Sequence, residues 1–120
     1  MNKPVILIVN ADRNEMEMLA KELQEEGFNI VGAVTSDELD HALRGKKKYA
    51  LSIIDISGFD ESIWQNCERM HELKIPFIMI APQRSPTVQR DSMKRGACGL
   101  LVKPIAIKEI VEHVHTALGD

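Results

Sequence analysis

Five times along this chain a short apolar run gives way to a segment with helical spacing, and that alternation constrains the fold more than any other feature. Val5-Ile6-Leu7-Ile8-Val9 is a continuous β-branched run, the pattern of a strand buried on both faces. Met16, Leu19, Ala20 and Leu23 follow at helical spacing, and Gly27 supplies a stop. Phe28 to Val34 reads as a second strand. Thr35 and Glu38 form a capping-box pattern for a helix that turns Leu39, Ala42 and Leu43 inward and ends near Gly45. Leu51 to Ile54 is a third strand that delivers Asp55 at its carboxyl end, and Ile63, Cys67 and Met70 share one side of a third helix. Pro76 introduces a fourth strand, Phe77 to Ile80. Ser85 and Pro86 suit the start of a fourth helix stopped by Gly96. Leu100 to Val102 is the fifth strand. Ile107, Ile110, Val111, Val114 and Leu118 then stripe the last helix.

Five strands that are apolar throughout, each followed by a helix, imply a parallel sheet covered on both faces. Right-handed crossovers leave few topologies, and the expectation is a three-layer, doubly wound, flavodoxin-like α/β fold with strand order 2-1-3-4-5. At 120 residues the chain fits one domain, 1–120, with no repeats or linkers. Ligands of such sheets gather outside the carboxyl ends of the strands, where strands one and three diverge. That rule selects Asn10, Ala11 and Asp12, then Asp55, Ala81 and Lys103.

Charge and composition exclude several function classes. Fifteen basic and 18 acidic residues leave a formal charge of −3, and Lys46-Lys47-Lys48 is a short solvated loop, so nucleic acid is not an expected partner. Cys67 and Cys98 form no C-x-x-C pair and suit reduced thiols in a cytoplasmic protein. The apolar run after Pro4 is too short for a signal peptide, and nothing approaches the ~20 apolar residues of a membrane span. A flavin or nucleotide site on this fold is disfavoured, because Asn10 to Glu15 contains no glycine for a phosphate loop.

The order of elements, the aspartate ending strand three and Lys103-Pro104 after strand five resemble the CheY-like receiver domain of bacterial two-component response regulators. The resemblance spans nearly the whole chain. It implies phosphoryl transfer from a histidine kinase to the strand-three aspartate in a phosphorelay, a signalling role rather than that of an enzyme. It makes Asp55 the candidate phosphoacceptor and Lys103 its phosphoryl or carboxylate partner. Pro104 would follow a cis peptide that aims Lys103 into the site. The resemblance also implies protein partners, a histidine kinase or an output domain, on the face of the fourth helix, fifth strand and fifth helix, with a homodimer on the same face. Related chains commonly continue into an effector domain, so this one is expected to be part of a longer protein.

Other positions depart from the family's pattern. Asn10 and Ala11 stand where an acidic pair holds Mg²⁺, Ala81 replaces a hydroxyl after strand four, and Leu100 replaces the aromatic switch on strand five. The candidate Mg²⁺ ligands that remain are Asp55, Asp12 and Ser57. Losing one carboxylate ligand costs a dication ~4 kcal/mol or more at an effective dielectric of about 20, before desolvation is subtracted. Half of that removes more than a decade of affinity, so Mg²⁺ binding is expected to be weak. Pro82 and Pro86 also stiffen the loop that moves when family members switch.

The expectation is therefore an atypical receiver that works through protein contacts, with weak or absent phosphorylation; the alternative is a working phosphoacceptor on Asp55. A plain Asp55–Lys103 ion pair without chemistry stands beside both. For Asp12 an N-cap is expected, for Ser57 and Ser85 turns or caps, and for Trp64 half-buried packing. Helix four, with Gln89, Arg90, Asp91, Lys94 and Arg95, reads as solvated. His113 and His115 lie two apart on a helix and cannot chelate together, while His41 and His71 stand alone.

Overall fold

The apolar runs form strands and the spaced segments form helices in the computed structural model, which describes residues 3–119. The elements are β1 (Val5–Val9), α1 (Arg13–Glu25), β2 (Asn29–Ala33), α2 (Ser36–Arg44) and β3 (Leu51–Asp55). They continue as α3 (Ile63–Glu72), β4 (Phe77–Ala81), α4 (Pro86–Lys94), β5 (Gly99–Val102) and α5 (Ile107–Ala117). The five strands make one parallel sheet in the order β2-β1-β3-β4-β5.

Alternation along each strand builds two cores. Ile6 and Ile8 of β1 and Ile53 of β3 face α1 and α5, joining Leu19, Leu23, Ile110 and Val114. Leu7, Val9 and Ile54 face the other way, onto Leu39, Leu43, Ile63, Cys67 and Met70 of α2 and α3. Each fully buried aliphatic side chain contributes roughly 1.5–3 kcal/mol, whereas an exposed pair such as Arg44–Asp40 adds about 0.5 kcal/mol at most. The two apolar layers, then, hold the sheet as a rigid platform for its carboxyl edge. Ser52 is the polar exception inside β3, and its hydroxyl donates to the Leu7 carbonyl at 3.0 Å.

Local signals act where the sequence places them, with small differences. Asp12, Thr35 and Ser85 cap α1, α2 and α4 through their side-chain oxygens. Glu38 reaches back one residue beyond the cap, accepting from the Val34 N–H at 2.7 Å. Strand β2 is shorter than its apolar run, because Phe28 leaves the ladder to bury its ring 5.6 Å from that of His115. Gly96 has φ of +99°, and a Cβ there would lie 2.2 Å from His71 Nδ1. That turn favours glycine for its positive φ, and the exposed His71 ring would have to turn aside for any side chain there. Helix α3 ends without a glycine; Lys74 takes the positive φ of 62° instead. Helix α4 buries only Ser92 fully. Trp64 is half-buried against the α2–α3 core, with the Arg95 guanidinium 5.0 Å from its ring centroid.

Candidate functional site

Backbone hydrogen bonds carry the ladder one residue past the strands and so fix the carboxyl edge. Asn10 N–H donates to the Ala33 carbonyl at 3.1 Å, Ile56 N–H to Ile80 at 3.0 Å, and Lys103 N–H to Ala81 at 2.9 Å. Residues that follow β1, β3 and β5 are thereby held on one rim. Asp55 ends β3 and is 2% exposed. Such a carboxylate needs partners, since an unpaired buried charge costs several kcal/mol.

Both of its oxygens have one. Lys103 Nζ lies 2.6 Å from Asp55 Oδ2, and the Ser57 N–H donates to Oδ1 at 2.9 Å. The peptide between Lys103 and Pro104 is cis. Burial of the Lys103 ammonium draws its pKa down, but the hydrogen bond and charge of Asp55, with the charge of Glu15, outweigh this and hold it above the ordinary lysine value.

Glu15 was not singled out by the sequence. Its Oε2 stands 3.4 Å from Lys103 Nζ and accepts from Asn10 Nδ2 at 3.3 Å. Its position, three residues after the Asp12 cap, imitates the last member of a capping box, which disguises a side chain that turns toward the rim instead. The available signal was its place in the first turn of the helix that leaves the β1 edge. Asn10 completes the chain of contacts, because its Oδ1 accepts from the Asp12 N–H at 2.8 Å.

The remaining candidates sit less centrally. The Asp12 carboxylate is exposed and accepts from the Glu15 N–H at 3.1 Å, so its acceptor is committed to the N-cap. Ser57 meets Asp55 through its backbone; its own Oγ is buried without a partner. Ala81 is buried and carries no hydroxyl, and Leu100 is half-buried against the α2–α3 core. Gly58 has φ of +82°, and a Cβ there would come within 2.9 Å of the Ala11 methyl, so the loop after β3 closes down over position 11. Beside the pair lies a cleft of about 570 Å³ whose apolar lining includes Met18, Leu19, Ile80, Pro82, Ile105 and Ile107.

These residues do not fit the Mg²⁺ that the resemblance implies. Magnesium demands near-octahedral oxygen ligands, and the two carboxylates that converge already share one ammonium. Among the described residues no three His, Cys, Asp or Glu side chains converge as a metal site.

No family model matches the chain. Over 107 residues, 88% of its length, it is 27% identical to the two-component response regulators ARR11 and ARR10 of Arabidopsis thaliana. It spans 20% and 19% of those two proteins, about a fifth of each. A CheY-like response regulator receiver domain from Methanospirillum hungatei superposes with a TM-score of 0.89 at 23% identity, covering 98% of this chain and 95% of that one. HP1043, an orphan response regulator of H. pylori, gives 0.83 at 16% identity, covering 96% of each chain.

Proposed function

From a CheY-like receiver fold whose curated relatives are two-component response regulators, we propose an atypical receiver that passes signals mainly through protein contacts. Phosphorylation of Asp55 is weak or absent. The observation that carries this reading is the rim beside Asp55, where Asn10 Nδ2 donates to Glu15 and the loop after β3 packs Gly58 over the Ala11 methyl, so that neither position presents a carboxylate. A carboxylate nucleophile needs added positive charge to attack a phosphoryl group, and Asn10 and Ala11 offer no carboxylate to recruit it. Ala81 supplies no hydroxyl to a transferred phosphoryl oxygen. The test is incubation with acetyl phosphate and Mg²⁺: little label should reach Asp55, and the residue should be no more reactive than in the metal-free protein.

The second reading is a phosphoacceptor served by a histidine kinase. It is favoured by one observation, the presence of the carboxylate and its lysine in contact at the end of β3. Stoichiometric, Mg²⁺-dependent label that Asp55→Asn abolishes would establish it.

The partner face in this proposal is α4–β5–α5, binding a kinase or output domain or a second copy of the chain within the cytoplasm. Met93, 52% exposed, stands there beside a shallow cleft lined by Gln89, Leu100 and Val102. No helix among the described residues is long and apolar enough to cross a membrane. With Leu100 in place of an aromatic switch, association through this face should not depend on phosphorylation. Sedimentation with and without beryllofluoride checks this, and a ligand-driven rise in mass would contradict it.

A further inference from the structure

Strand β2 is an outer strand, and its open edge is short and symmetric. The Asn29 N–H donates to the Pro4 carbonyl and the Ala33 carbonyl accepts from the Asn10 N–H, so positions 29, 31 and 33 turn their peptide groups toward β1. Alternation turns those of Ile30 and Gly32 outward, where no described residue bonds to them. The next outward N–H, of Val34, is already taken by Glu38 Oε1. Asn29–Ala33 contains no charge and no proline, the usual guards of an edge, and Gly32 is exposed. Beside this edge a cleft of about 720 Å³ is walled by Val31 and Ala42, with Asp37, Glu38, Lys46 and Lys47 in its lining. Helix α2 starts just past the carboxyl end of β2, which puts Asp37 and Glu38 there. The chain then returns to the amino end, where the Ala50 N–H meets the Val5 carbonyl level with Asn29, so Lys46 and Lys47 lie at the opposite end. We infer that the β2 edge binds a second copy of this chain, antiparallel about a two-fold axis at Val31. Ile30 of each copy faces Gly32 of the other, and every outward N–H and C=O at the two positions finds a partner. The same axis sets the acidic end of each cleft against the lysine end of the other. An unrelated extended peptide satisfies the edge but has no built-in reason to bring lysines to Asp37; a second copy does so by symmetry.

This contact leaves the α4–β5–α5 face free, and it stands whether or not Asp55 accepts a phosphoryl group. The test is a charge swap at exposed positions, so folding is not at stake. Sedimentation over a wide concentration range compares wild type with Asp37→Lys, with the Lys46→Glu, Lys47→Glu double variant, and with an equimolar mixture of the two. Wild type should form dimers. Each variant alone should dimerise at least about tenfold more weakly, because like charges then meet at both ends of the interface. The mixture should regain wild-type association, since every reversed end meets its opposite in the mixed dimer. Hydrogen exchange at the Ile30 and Gly32 amides should slow as concentration rises, in wild type and in the mixture. A wild type that stays monomeric throughout would overturn the inference. So would variants that dimerise as well as wild type, or a mixture no tighter than its components. A dimer whose concentration-dependent protection falls on α4 and β5 instead of positions 30 and 32 would also overturn it, and would place self-association on the face proposed above.

Discussion

Glu15 and Lys103 are 88 residues apart in sequence and 3.4 Å apart at the rim of the sheet. Their contact brings a second carboxylate to the ammonium that neutralises Asp55. It follows that the pocket contains two negative groups and one positive, and substitutions at Asp55 and Glu15 should have unequal costs.

Asp55→Ala should destabilise the fold by about 2–4 kcal/mol, because the Ser57 N–H loses its acceptor and Lys103 keeps only the half-exposed Glu15. Asp55→Asn retains an oxygen for Ser57 and should cost less than half as much. Glu15→Gln, which keeps the Asn10 contact, should cost under about 1 kcal/mol. Urea titrations of the three variants check the order, and equal losses at 15 and 55 would contradict it.

Asn10→Asp replaces the amide that donates to Glu15 by a carboxylate facing it across a 3.3 Å contact. Like charge at that distance should lower stability by about 1–2 kcal/mol, and divalent cations should restore part of the loss. Melting with and without Mg²⁺ measures both effects. A variant as stable as wild type in chelator would mean that Glu15 has moved away from position 10.

The order of elements was legible in the sequence because strand and helix periods differ, and buried residues obey them. Val9 and Ile8 point to opposite cores as a period of two requires, and Leu19 and Leu23 meet one of them as a helical period requires. The site was legible only where a residue is tied to a strand end: Asp55 and Lys103 each follow an apolar run. Glu15 was hidden because its reach depends on a rotamer and on a partner that follows β5, and its spacing from Asp12 already had a local explanation as a cap. The packing of Gly58 over Ala11 was likewise invisible, since loop closure depends on φ of +82° and on which side chain lies beneath.

Gly58→Ala tests that closure. Alanine at this positive φ carries backbone strain, and its methyl would meet Ala11, so a loss of about 1–3 kcal/mol is expected. Relaxing the steric part through Ala11→Gly should recover only some of it. Full recovery would show that backbone strain contributes nothing.

The raised pKa of Lys103 has a defined sign in stability. A lysine whose folded value exceeds its unfolded one contributes fully below the ordinary value of 10.5, and the contribution is lost as pH climbs through the raised folded value. The stability difference between wild type and Asp55→Asn should therefore be flat up to about 10.5 and shrink as pH climbs from there through the raised folded value. Urea midpoints across that range test the claim, and a difference that grows with pH would contradict it.

Phosphoryl transfer to Asp55 is the most direct measurement. Wild type and Asp55→Asn are incubated with excess acetyl phosphate and Mg²⁺, and covalent phosphate is counted by intact mass. An Asp55 carboxylate held by Lys103 and Ser57 should label in less than about a tenth of the molecules, the decade that a missing metal ligand removes. Near-complete Mg²⁺-dependent labelling of wild type, absent from Asp55→Asn, would contradict it and make Asp55 a working phosphoacceptor.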